Sequence, residues 1–502
     1  MTTSVSNEET NAVALPAESQ LPSMSRSQET IVYRIRHTLA SRFIFLVICV
    51  AIVMSALAYG TVHYWALGLF NLGALTILIL WAVDGWTLGT LRISRNLLQL
   101  PLLAIILLGI VQLLPLRSAP VNGITATSFV SSLSLDPNAT RLVLVQLVSL
   151  FVYFAATLVF TDTPHRLHIL VRTIMIFGFV LALFGLTQSF ISPTKVYGLR
   201  ELSQSTAFGP FINRHHFAGY MELTIAIPLG LLFAGSIEKE KQILYLFVAG
   251  LMGIALVLTS SRGGIISLVA EILFLAVTTA IWRKQSDGRS AARGRFKSVM
   301  LRVVLAGVLM VGLLGGVLML GGEFSLNRFI DSVNTDDPTT GRAHFWSVTV
   351  DMIKTHPILG TGLGAFGVLY TRFDSRNGTY RLEQAHNDYL QILSDAGIIG
   401  AFIGLCFVVL LFARALKRAR SLDDFRRGLA LASLGGCFAV LVHSMFDFTL
   451  HTTANALLFL ILAALATMDG RVEQAPRKRR RRSSRSRESP RPAELVTMSD
   501  KL

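Results

Sequence analysis

The sequence predicts an all-α polytopic membrane protein, and three observations carry that prediction. Of 502 residues, 52% are hydrophobic and only 15% charged, against roughly 25% charged in an average soluble domain. Apolar runs long enough to cross a hydrocarbon layer of about 30 Å recur along nearly the whole chain. Inside a bilayer each run must satisfy its own backbone groups, so each is expected to be a helix.

The elements follow in order. Residues 1–41 form a polar tail, Ser/Glu/Thr-rich over 1–30, and so polar a lead-in argues against a cleavable signal peptide. About twelve transmembrane helices are then expected, near 43–60, 65–84, 97–116, 142–161, 169–190, 219–235, 243–260, 263–282, 299–321, 398–412, 428–446 and 453–469. Together they make a transmembrane domain over 42–470. Residues 471–502 form a basic, Arg/Ser/Pro-rich tail with the composition of disorder. No internal repeat is visible, which weighs against transporters built from matched halves.

Charge gives the expected orientation. The net charge of +16 sits in short connections and the tail. One group is Arg283, Lys284, Arg289, Arg293, Arg295 and Lys297; a second is Arg414, Lys417, Arg418, Arg420, Arg426 and Arg427; a third runs from Arg477 to Arg482. Twelve spans place all three groups and both termini on one side, which the positive-inside rule makes cytoplasmic. Anionic lipid is the expected partner of these basic loops and the tail, and nucleic acid is not expected.

The opposite side receives residues 191–218, the Ser261–Gly264 turn, a long segment over 323–397 and the Asp447–Thr452 turn. The long segment reads as helical. One helix runs from Arg342 to Lys354, with Phe345, Val348 and Met352 inward and Pro357 beyond its end. A second runs from Gln384 to Ala396 and stops at Gly397, with His386 in its first turn.

Several chemistries lack their motifs. There is no Gly-rich loop ending in Lys-Ser or Lys-Thr and no His-Glu-x-x-His or Cys-x-x-Cys pair, so neither ATP nor a metal or other cofactor is expected. Asp336-Asp337 read as a cap, and Cys49, Cys406 and Cys437 as small apolar-run residues. Gly312 and Gly316 form a helix-packing pair.

What remains is arginine and histidine on the outer side. Arg262 sits in a tight turn between spans, as an interfacial anchor or an anion ligand. Arg342 opens a helix, as a solvated first-turn residue or a second anion ligand. His386 lies where a helix N-terminus favours neutral imidazole, able to accept a proton or simply to support the fold. Two guanidinium forks could hold a departing diphosphate while an imidazole deprotonates an incoming hydroxyl. Glu222 and Glu271, acids within spans, are either functional or partners of Arg262 or a neighbouring helix.

The motifs then resemble a known family. Gly341-Arg342-Ala343-His344-Phe345-Trp346, the run from His356 to Phe366, Ala385-His386-Asn387-Asp388-Tyr389-Leu390 and Gly397-Ile398-Ile399-Gly400 resemble the signature of the O-antigen ligase and polymerase superfamily. Ser261-Arg262-Gly263-Gly264 resembles its upstream arginine motif. Asn213-Arg214-His215-His216-Phe217-Ala218 and His443-Ser444-Met445-Phe446-Asp447-Phe448 resemble its flanking motifs, over about 200–460 in all. His215 stands where relatives often have Asn.

The resemblance implies a GT-C-like membrane glycosyltransferase of the bacterial inner membrane, metal-independent and inverting. It would move a glycan from undecaprenyl diphosphate to an acceptor hydroxyl on the periplasmic face. The acceptor would be a lipid A core sugar or a second lipid-linked glycan. His386, Arg342 and Arg262 would be catalytic; Arg214, His216, Trp346, Gly362, Gly364, Asn387 and Tyr389 would bind substrate. The alternatives are a multi-pass solute transporter, for bicarbonate for example, and a protein O-oligosaccharyltransferase.

Overall fold

The computed structural model describes residues 37–119, 129–192, 194–201, 208–282, 307, 342–375 and 382–468. The chain divides into Met1–His37 and Thr38–Leu502; of the first only His37 is described, and the architecture below is that of the second. Eleven of the twelve predicted segments are helices: α1 Leu39–Leu57, α2 Tyr64–Leu88, α3 Gln99–Gln112, α4 Pro137–Phe160, α5 Pro164–Ile191, α6 Arg214–Ala234, α7 Lys239–Leu258, α8 Arg262–Ile281, α11 Asp388–Arg418, α12 Asp424–His443 and α13 Thr453–Thr467. Two further α-helices among the described residues, α9 Arg342–Thr355 and α10 Phe366–Phe373, precede α11. Nine described helices are long and apolar enough to cross a membrane, whereas α3 and α13 are shorter. The protein is an all-α polytopic membrane protein.

Apart from residue 307, the expected span at 299–321 lies outside the described residues, as do the Gly312/Gly316 pair, Asp336-Asp337, the basic group at 283–297, residues 1–36 of the N-terminal tail and the whole C-terminal tail; the last residues of the expected N-terminal tail, from Leu39, already belong to α1. Two short antiparallel strand pairs, Arg117–Ala119 with Phe129–Ser131 and Lys195–Val196 with Arg200–Glu201, were not anticipated.

Local sequence sets the helix starts. Asp136 and Thr163 cap α4 and α5 through bonds from Ala139 N and Arg166 N, each with proline at the first helical position. Ser261, Asn387 and Asp423 cap α8, α11 and α12 in the same way. The most enclosed long helices are α6 and α12, which pack so closely that a Cβ on Gly230 would lie 2.4 Å from Ala432 Cα. Their neighbour α13 is buried along its whole length, as a helix apolar on every side should be.

The end of the bundle away from α9 is tied by ions. Arg92 bonds Asp84 at 2.7 Å and Asp162 at 3.1 Å, and Arg166 reaches Asp162 at 3.3 Å. Arg426, fully buried, donates to the Leu465 and Met468 carbonyls at 2.8 and 3.0 Å. It therefore satisfies the last turn of α13 and is withdrawn from the loop charge that the sequence offered to lipid.

Two sequence expectations for the outer segment are corrected. The second helix begins at Asp388, not Gln384, because Asn387 accepts from Tyr389 N and Leu390 N and so becomes the cap. His386 thus lies before the helix rather than in its first turn. Gly397 also does not end the helix; it joins two helical stretches at φ 63°, ψ −164°. At that break the Ser394 and Asp395 carbonyls accept from Thr361 N and Gly362 N at 2.9 and 3.0 Å. Any Cβ on Gly397 would meet the Ile358 carbonyl at 2.3 Å. Gln112, buried at the end of α3, clamps the junction by donating to the Leu359 and Asp395 carbonyls and accepting from Leu363 N.

Candidate active site

The site is built at one end of the bundle, around a carboxylate to which the sequence reading gave no role. Asp447 follows α12 and is 1% exposed. Its Oδ1 lies 3.2 Å from His386 Nδ1 and its Oδ2 accepts from Arg342 Nη2 at 3.1 Å. His215 Nδ1 stands 3.8 Å from the same Oδ2. Burial alone would raise this carboxyl, but the His386 bond and the nearby His215 and Arg342 outweigh it and hold Asp447 well below the usual carboxylate range. An anchored Asp447 orients the imidazole through Nδ1, which leaves Nε2 as the proton-accepting nitrogen.

The loop bearing His386 is held under backbone strain. His386 has φ +51°, a left-handed conformation uncommon for a non-glycine residue and characteristic of sites whose surroundings fix them. Here those surroundings are explicit. Trp346 Nε1 donates to the Ala385 carbonyl at 3.1 Å, and Ala385 N donates to Gln391 Oε1 at 2.7 Å. Asn387 Nδ2 donates to the Met445 carbonyl, and Asp388 N to the Ser444 carbonyl. The His386 ring stands edge-on to Phe448, 4.8 Å between centroids.

The arginine turn joins the same end. Ser260 has φ +53°, and Ser261 caps α8 with Arg262 as its first residue. Ser261 Oγ also meets His215 Nδ1 at 2.8 Å, which links the Arg262 turn to Asp447 through α6. Gly263 fits against His443, whose Cδ2 would lie 2.8 Å from an added Cβ. Arg214 opens α6. His216, one residue past His215, stands edge-on to Phe448, 4.9 Å between ring centroids.

Of the residues singled out from the sequence, Arg342, His386 and, through Ser261 and His215, the Arg262 turn are brought to one locale. Trp346, Asn387 and Tyr389 support it structurally; the Tyr389 hydroxyl donates to the Leu441 carbonyl at 2.7 Å. Gly362 and Gly364 are placed elsewhere, with φ +112° and +79°. They press against Ser134 and Val143, at distances of 2.2 and 2.9 Å from an added Cβ. Glu222 meets Ser267 Oγ at 2.6 Å and lies 2.8 Å from His443 Nδ1, off the line of a well-aligned hydrogen bond. Among the described residues no three His, Cys, Asp or Glu side chains are grouped as metal ligands.

Residues 247–404 match a family model described as O-antigen ligase. This segment is similar to the O-antigen ligase family. It supports the O-antigen ligase and polymerase superfamily, to which the motifs pointed, and with it a membrane enzyme of ligase or polymerase type. No curated protein matches the chain. The ligase segment contains Arg262, Arg342 and His386, whereas Arg214, His215, His216 and Asp447 lie outside it. The site is therefore assembled by the ligase segment together with α6 and the chain after α12.

Sequence reasoning missed Asp447, although it stood in a quoted motif. An acid one turn beyond an apolar span was the available signal. Its partners are 61 and 105 residues away in sequence, and spacing does not encode such a contact.

Proposed function

We propose that this protein transfers a glycan from undecaprenyl diphosphate to an acceptor hydroxyl on the periplasmic face of the bacterial inner membrane, as an O-antigen ligase or a surface-polysaccharide polymerase. The observation that carries the reading is the convergence of His386 and Arg342 on buried Asp447, beside the Arg262 turn and in a chain whose residues 247–404 match an O-antigen ligase family model.

In this mechanism the acceptor hydroxyl gives its proton to His386 Nε2 as its oxygen bonds the anomeric carbon. The bond from that carbon to the diphosphate oxygen breaks with inversion. Undecaprenyl diphosphate leaves with the electron pair, and the charge is met by Arg342 and Arg262. Asp447 stabilises the imidazolium that forms and aims Arg342. No step calls on a metal. An apolar crevice of about 570 Å³, walled by Leu102, Ile105, Ile392 and Phe407 and reaching Asp388 and Ser444, suits an isoprenoid chain beside the site.

The finer topology belongs to the same proposal: about twelve spans in a GT-C-like arrangement, the segment before α11 periplasmic and both termini cytoplasmic. The family match lends no support to a transporter or a protein O-oligosaccharyltransferase.

The test compares surface polysaccharide and undecaprenyl-diphosphate glycan in cells carrying wild type or His386→Ala at matched membrane levels. Surface glycan should fall while the lipid-linked donor accumulates, and the lengths of stalled intermediates would separate ligase from polymerase. Unchanged pools would overturn the reading.

A further inference from the structure

A polar cavity of about 420 Å³ opens beside His386, within the roughly 300–1,000 Å³ typical of ligand sites. His386, His216, His451, Gln384, Thr452 and Phe448 are among the residues that line it. Three of these lining residues each carry a buried side-chain atom with no hydrogen-bond partner among the described residues: His216 Nε2, Gln384 Oε1 and Thr452 Oγ1. Buried polar atoms of this kind are costly unless a bound group satisfies them. Thr452 is 1% exposed and His216 is 7% exposed, so both belong to a built wall rather than to a surface.

The fourth polar group is a second imidazole fixed by a second carboxylate. His451 Nδ1 lies 2.7 Å from Asp388 Oδ1. The other Asp388 oxygen accepts from Ser444 Oγ at 2.7 Å and Leu450 N at 3.3 Å. Asp388 is thus locked, and the His451 ring, with 35% of its side chain accessible, lines the cavity. Burial alone would favour neutral His451, but the hydrogen bond and charge of Asp388 outweigh it and raise this imidazole above its ordinary value.

The lining excludes one substrate half and suits the other. Among the described residues no arginine or lysine lines the cavity, and the one formally charged side chain among them besides histidine is Glu383. Among these residues a diphosphate would find no fixed cation to match it and a carboxylate to repel it. A sugar ring would find donors and acceptors spread around the wall and the Phe448 ring as an apolar face.

We propose that this cavity is the acceptor subsite, in which His451, pinned by Asp388, together with His216, Gln384 and Thr452, binds the hydroxyls of the acceptor sugar and turns one of them toward His386. This rests on the transferase reading above and adds where the acceptor sits and which residues choose it. His451 is a positioning residue; its removal should act on acceptor recognition and spare the donor.

The test uses the full-length protein in lipid nanodiscs. The first probe is the oligosaccharide released by mild acid from the surface glycan of the cells that carry the protein. The second probe is inorganic pyrophosphate. The oligosaccharide should bind wild type, and His451→Ala and Gln384→Leu should each weaken it tenfold or more at a temperature where both variants remain folded. Saturating pyrophosphate should not displace it. In transfer assays the acceptor KM should rise tenfold in His451→Ala while the donor KM stays within twofold. The proposal is overturned if wild type binds no oligosaccharide, if both variants bind it as wild type does, or if pyrophosphate competes with it. Oligosaccharide binding without any glycan transfer would remove the transferase reading alone. Transfer with an unchanged acceptor KM in His451→Ala would remove the subsite alone.

Discussion

Asp447→Asn isolates what the central carboxylate does, because it keeps the shape and removes the charge. In the wild type two charge-assisted contacts end on this group, from His386 at 3.2 Å and Arg342 at 3.1 Å. An amide can present its single oxygen to only one of them and turns an N–H toward the other. If the NH₂ faces His386, Nδ1 must become the acceptor, the proton moves to Nε2, and the proposed base carries the wrong tautomer. If it faces Arg342, two donors collide and the guanidinium loses its aim. Hydrogen bonds to charged groups contribute about 1.5–3 kcal/mol each. Losing both in the transition state therefore costs about 3–6 kcal/mol, a rate loss of about 10²–10⁴-fold. The assay is transfer of lipid-linked glycan by purified protein in nanodiscs, with wild type and variant matched by melting profile. The melting temperature should fall only modestly, since Arg342 and His386 retain 20% and 27% side-chain exposure and can be hydrated. Turnover within threefold of wild type would refute a role for Asp447 in holding the base and the cation.

Other expectations follow from the same geometry. Arg342→Lys should lose turnover tenfold or more, since Lys keeps the charge but cannot hold Asp447 and a phosphate oxygen with one planar fork; wild-type turnover would remove the bidentate role. Gly362→Ala should melt earlier, because φ is +112° and the new Cβ would lie 2.2 Å from Ser134 Oγ. The penalty is about 2–5 kcal/mol from strain and overpacking together, checked by thermal unfolding in detergent, and an unchanged transition would contradict it. The raised His451 gives stability that is fully present below the ordinary histidine value and is lost as pH rises through the raised folded value. The gap in melting temperature between wild type and His451→Gln should accordingly be wider at pH 6 than at pH 9; a gap that widens with pH would reverse the sign of the argument. The depressed Asp447 acts in the opposite sense, its contribution present above the ordinary aspartate value and lost only as pH falls through the lower folded one.

The spans were legible because they rest on a one-dimensional property. A run such as Leu39–Leu57 is apolar whatever it packs against, and lipid demands that it be a helix. Helix ends were less legible although their signals were present. Asn387 directly before Asp388 is a strong cap, and reading the helix from Gln384 overlooked the preference of a short amide side chain for that position. Gly397 read as a stop because glycine ends helices, yet here it passes the chain between two helical stretches so that the Ile358–Gly360 backbone can approach. The eight-residue helix Phe366–Phe373 went unseen since two turns hardly establish a period. Arg426 counted as a loop cation by its position, whereas the buried carbonyls at the end of α13 had a stronger claim on it.

The chemistry of the site was legible by type and not by arrangement. Arg262, Arg342 and His386 stood out as charges and an imidazole in an apolar chain, but the group that orders them is an acid with no unusual neighbours in sequence. The fold explains why it can serve. Asp447 follows α12 and His215 lies in the first turn of α6, the two long helices most enclosed by the rest of the bundle. Their packing is close enough to exclude even a methyl group at Gly230, so the ends of these helices cannot drift relative to one another. The two more exposed elements that bring Arg342 and His386, α9 and the loop before α11, dock onto that rigid pair through Asp447 and through the Ser444 and Met445 carbonyls. A catalytic base and an anion ligand must hold their separation to within about half an ångström through turnover. Placing the organising carboxylate on the least mobile part of the bundle meets that demand and leaves the outer segment free to differ in what it offers the substrates.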